Sequence, residues 1–193
     1  MRNDIEFRVH KDTDNFVLPE LKKETRFADL LIIGGEVFYK DLGGKPNTYL
    51  KTILHDAECP VVVVPEEYEY PEKIVLAYDG SESSVYAIKQ FSYLFPVLSH
   101  KKTVLVYADE NDKIEFPDQD YLEELAARHY PDLAFFKLET NPYRGVKEWL
   151  EGRKATLLVS GSYGRSGFSQ LFRKSFINDL ILEHKIPVFV THV

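Results

Sequence analysis

TLLVSGSYG, residues 156–164, is an apolar run that stops abruptly in small residues. Unbroken apolar character over this length suits a strand buried on both faces of a parallel sheet. A glycine where the strand runs out leaves backbone without a Cβ, so a neighbour or an anion can approach closely. Amides opening the next helix would then face that anion. After nine intervening residues, 165–173, Gly164 is followed by Lys174 and Ser175, a cation and a hydroxyl one segment later. The matching corner is KIVLAYDGS, residues 73–81, in which Asp79 and Gly80 follow the apolar run. One acidic and one glycine-rich strand-to-helix corner suit the ribose and the phosphates of a nucleotide.

Outward from these corners, strands and helices alternate. KIVLAYD is the first strand, and Ala87, Ile88, Phe91, Leu94 and Phe95 then share one helical face. TVLVYAD (103–109) is the second strand, with Leu122, Leu125 and Ala126 marking the next helix. LAFFKLE (133–139) is the third, followed by a helix carrying Val146, Trp149 and Leu150. TLLVSGS is the fourth, a last helix carries Phe168, Leu171, Phe172, Phe176 and Leu180, and PVFVTHV is the fifth. The polar, acidic stretch from Asp109 to Asp120 is read as a solvated loop. The pattern predicts an α/β fold with a doubly wound parallel sheet.

Asp79 at the end of strand one, with Gly161, Gly164 and Ser175 in a Gly-x2-Gly-x9 spacing, resembles the nucleotide-binding branch of the universal stress protein family. The resemblance spans residues 73–193; Lys174 stands where the family pattern has a third glycine. It implies a Rossmann-like, adenine nucleotide alpha hydrolase-like sheet with strand order 3-2-1-4-5. It also implies ATP or a related adenine nucleotide as ligand, with or without Mg2+, or no ligand at all in a degenerate member.

The chain repeats itself. ADLLIIG (28–34) lies over ATLLVSG (155–161), and CPVVVV (59–64) over IPVFVT (186–191), both offset by 127 residues. Thr48 falls on Ser175, Ile53 on Leu180 and Leu54 on Ile181. With a one-residue shift, Asp4-Ile5-x-Phe7 falls on Asp132-Leu133-x-Phe135. The division expected is an incomplete repeat (β-α-β-α-β) at 1–65, a linker at 66–72 and a complete domain at 73–193. The front copy has counterparts of strands three, four and five alone. Its strand DIEFRVH must therefore close up beside ADLLIIG or pair with another chain. So small a unit buries too little surface to stand alone. Tandem members of the family place the last strands of their two domains together, which would set PVVVV (60–64) beside PVFVT (187–191); a homodimer through the last strand is the other option.

Each candidate residue has two readings. Asp79 accepts hydrogen bonds from adenosine, caps the helix beginning near Ser83, or does both. Gly161 and Gly164 admit a ligand or supply turn geometry. The front copy keeps Gly34 but has Val37 where Gly164 stands, so a turn needs no second glycine there. Arg165 pairs with a phosphate or opens a helix at the surface. Lys174 obstructs a phosphate, grips it, or is a solvated helix residue, and Ser175 donates to a phosphate or caps a turn. Tyr107 aligns with a small aliphatic residue of the family beside the adenine, and either stacks on the base or fills its pocket. Ala77, two residues before Asp79, completes the set.

Net charge of −7 argues against nucleic acid or an anionic membrane as partner. The single Cys59 fits a reducing compartment and a small buried apolar role. The amino terminus is too polar for a signal peptide, and the chain is expected in the cytoplasm. HExxH, CxxC, GxSxG and P-loop patterns are absent, and the six histidines are scattered. No catalytic or metal residue is assigned. The expectation is a stress-response regulator that binds adenine nucleotide, with slow hydrolysis at most. The alternative is a nucleotide-free scaffold acting through dimerisation and protein contacts.

Overall fold

The structure, a computed structural model, describes residues 18–34, 46–65, 67–109, 116–139, 142–161 and 186–191. In chain order its elements are α1 (Leu18–Thr25), β1 (Leu31–Gly34), α2 (Pro46–Asp56), β2 (Val61–Val64) and β3 (Lys73–Tyr78). They continue with α3 (Glu82–Leu94), α4 (Pro96–Ser99), β4 (Lys102–Asp109) and α5 (Gln119–His129). β5 (Leu133–Glu139), α6 (Pro142–Leu150), β6 (Thr156–Gly161) and β7 (Val188–Thr191) complete the set.

The strands form one seven-stranded sheet in the order β1-β2-β7-β6-β3-β4-β5. Five of them, β5-β4-β3-β6-β7, are parallel and carry the expected order 3-2-1-4-5. The remaining pair, β1 and β2, is parallel within itself and joins the sheet through an antiparallel contact of β2 with β7. Val61 faces Val190, Val62 faces Phe189 and Val63 faces Val188. The registers on the two sides of this joint are alike. Leu31 pairs with Val61 as Leu158 pairs with Val188. The Leu31 amide donates to the Pro60 carbonyl at 2.9 Å, and the Leu158 amide to Pro187 at 3.0 Å.

Alternation along the strands divides the core in two. On one face Val75, Ala77, Val106, Leu158, Val188 and Val190 meet Val146 and Leu150 of α6 and Leu50, Ile53 and Leu54 of α2. On the other, Ile74, Leu76, Tyr78, Leu105, Tyr107, Val159 and Phe189 meet Ala87, Ile88 and Phe91 of α3 and Leu122 of α5. Phe91 is fully buried, and its ring meets Phe189 edge-on at 5.4 Å between centroids. Burial on both faces is why β3 and β6 read as continuous apolar runs. Helix α3 starts at Ser81, whose hydroxyl accepts from the Ser84 amide, and it stops before Pro96, whose ring cannot continue it. Cys59 is buried, as its apolar neighbours suggested.

Candidate functional site

The order in which strands are added reverses between the parallel neighbours β3 and β6. The chain leaves β3 for a helix on one face, and β6 leads away to β7 on the opposite side of β3. In an open α/β sheet such a switch point leaves a crevice beyond the carboxyl ends of the strands. Asp79 ends one lip of it and Gly161 the other, with Ala77 beside Ser160 one step inside.

Gly161 meets the start of α3. A Cβ built on it would lie 2.6 Å from the Ser84 amide nitrogen and closer still to the Ser83 carbonyl group. These are main-chain atoms of a capped helix turn and cannot step aside cheaply. The glycine is therefore required by helix-to-strand packing, whatever else it does. Its front-copy counterpart, Gly34, has nothing within 4 Å of the same position. Gly80 has φ of +80°, which an L side chain adopts at a cost, and lies against Pro117.

Asp79 is half-buried, and its Oδ1 accepts from the Ser81 amide at 3.0 Å and from the Ser81 hydroxyl. Ser81 in turn caps α3, and the Ser84 hydroxyl donates to the Ser81 carbonyl at 2.8 Å. The helix is thus capped by Ser81, and Asp79 orients the cap. Its other carboxylate oxygen has no hydrogen-bond partner among the described residues.

Tyr107 stands elsewhere. It pairs with Tyr78 across β3 and β4, and its side chain lies on the α3 face, whereas Ala77 and its partner Val106 lie on the α6 face. The ring is buried, 6.3 Å from Tyr78 and 5.4 Å from Phe116 between centroids. Phe116 also meets Phe135 edge-on, and the Tyr78 hydroxyl donates to the Pro117 carbonyl at 2.9 Å. Residues 116–118 therefore pack over the carboxyl ends of β3 and β4. The acidic Asp109–Asp120 stretch is, at this end, a seated cover and not the solvated loop its composition suggests, because the two aromatic-proline residues outweigh the charge around them. Sequence reasoning missed Phe116 and Pro117; an apolar pair interrupting an acidic run was the available signal. Burial pushes the Tyr78 phenol up to about 12, with Asp118, Asp79 and Tyr107 adding to the effect.

Gly164, Arg165, Lys174 and Ser175 lie outside the described residues. The structure thus brings Ala77, Asp79 and Gly161 to one corner and puts Tyr107 on the other face. Among the described residues no group of three or more His, Cys, Asp or Glu is placed to hold a metal ion. Among the same residues no helix is long and apolar enough to cross a membrane.

A mostly parallel, doubly wound sheet of order 3-2-1-4-5 defines the adenine nucleotide alpha hydrolase-like fold. Residues 71–192 match the universal stress protein family, and the chain belongs to that family. The fold is similar to that of a universal stress protein from Archaeoglobus fulgidus DSM 4304, with a TM-score of 0.60 at 16% identity over 91% of this chain and 64% of that one. It is also similar to a functionally unknown protein from Pseudomonas aeruginosa PAO1, with a TM-score of 0.51 at 16% identity over 94% and 69% of the two chains. The chain thus spans less than two thirds of the Archaeoglobus protein's length. A comparison with curated proteins finds no match.

Proposed function

We propose that the chain is a cytoplasmic stress-response regulator that binds an adenine nucleotide at the corner between β3 and β6. The carrying observation is the switch point in the strand order, which sets the Asp79 carboxylate at the end of β3 beside the end of β6. The Asp79 carboxylate oxygen that has no partner among the described residues would accept from the nucleoside, and the chain after Gly161 would meet the phosphates through Gly164, Arg165, Lys174 and Ser175. Any metal would arrive as the nucleotide's own Mg2+. The function in this reading is binding and release of a signal, with slow hydrolysis at most; among the described residues no group of three or more His, Cys, Asp or Glu is placed to hold a metal ion. Family membership supports this reading without supplying the ligand.

One observation favours a second reading. Tyr107 is locked between Tyr78 and Phe116 and cannot stack on a base without leaving its core, which suits a nucleotide-free scaffold. The two readings part on ATP. Under the first, millimolar Mg-ATP raises Tm by a few degrees, as a ligand of the native state must, and Asp79→Asn reduces that shift. Lys174→Gly changes the affinity in a direction that tells obstruction from grip. No shift in Tm and no heat in calorimetry with either protein would leave the scaffold.

A further inference from the structure

We propose that the free edge of β1 is a strand-docking edge and that its occupant is this chain's own segment 4–10, added parallel to β1 in the same molecule. Among the described residues β1 ends the sheet, so one side of its main chain has no partner in the order of described strands. The Leu31 amide is spent on Pro60 of the β2 side. Alternation in a parallel ladder then turns the Ile32 amide and carbonyl outward to the open edge. An unpaired, apolar edge is a template for another strand.

The internal repeat says how far β1 departs from a finished strand. Its equivalent, β6, is flanked by β3, and Val159 there is fully buried. Ile32, at the same register beside Val62 as Val159 is beside Phe189, is 62% exposed. Phe27, just upstream, is 83% exposed.

Three arguments select the occupant. DIEFRVH alternates apolar Ile5, Phe7 and Val9 with Glu6, Arg8 and His10, the pattern of a strand with one covered face. Its counterparts Leu133 and Phe135 belong to β5, on the α3 face. Carried over, Ile5 and Phe7 would stand on the same face as Ile32 and cover it. The connection also fits. Seven residues separate His10 from α1, whose Leu18 and Leu21 pack on the α6 face of the core. A strand-α1-β1 crossover on that face, with the hand of β5-α6-β6, arrives beside the free edge of β1.

Hydrogen exchange on the full chain, read residue by residue, tests this alongside sedimentation. We expect the amide of Ile32 and alternate amides within residues 5–10, those turned toward β1, to be protected at least about 100-fold over open chain, equally at low and high protein concentration. Phe7→Asp should abolish both protections and leave those of β2 and β7 unchanged. Exchange of residues 5–10 at open-chain rates in the unaltered protein overturns the proposal. So does Ile32 protection that survives Phe7→Asp, or that is present only where sedimentation shows a dimer, which would make a second copy the occupant.

Discussion

At the residue scale, Gly161 is the position where a single methyl group decides most. Its added Cβ would intrude on the Ser83–Ser84 backbone, so Gly161→Ala must push α3 off β6. Overpacking of this kind costs about 1–3 kcal/mol, measurable as a lowered urea midpoint in the absence of any nucleotide. A change within error would mean that the helix start is not held where described. Tyr78 offers a test by pH. Its phenol is fully buried and titrates at about 12, against about 10 for an exposed tyrosine. The neutral form is the one the fold favours, so this contribution is whole below about pH 10 and drains away as pH rises through about 12. Tyr130, whose pKa burial also raises, works in the same direction. Urea midpoints should therefore fall across that window, and Tyr78→Phe should make the fall shallower. A midpoint flat to pH 12 would contradict the buried placement.

Among the elements, α3 is the one whose start touches both the corner and the core. Ser81 caps it and is itself fixed by Asp79, so Ser81→Ala removes the cap and releases the carboxylate together. The loss should be about 1 kcal/mol or somewhat more, read as a lower thermal midpoint. Such elements were legible where physics repeats along the sequence. β3 and β6 are buried on both faces and so are apolar throughout. The 87, 88, 91 spacing of α3 states its buried side, and Ser81 and Pro96 bound it. The site was legible only in part. Asp79 and Gly161 fall at strand ends, which sequence marks well. The face on which Tyr107 stands depends on the register between β3 and β4, a relation between strands that neither strand's residues encode alone. The packing of Gly161 against α3 and the seating of Phe116 and Pro117 are contacts between distant segments, and local composition is blind to them.

On the scale of the whole molecule, two-faced burial around β7 unites the sheet. Phe189 serves α3 on one face while Val188 and Val190 serve α2 and α6 on the other, so neither layer can open without disturbing the same strand. The contact of β2 with β7 adds a feature of symmetry. Under the 127-residue offset Val62 and Phe189 are equivalents, and they face each other, while Val61 and Val63 each face the equivalent of the other. That is the exchange relation of a two-fold interface, realised here by one polypeptide upon itself. A joint of this kind is a ring closure and not an encounter. Its occupancy is set by the tether between the halves and not by how many molecules are present, so scarcity of the protein in a cell or a cuvette leaves this seam shut.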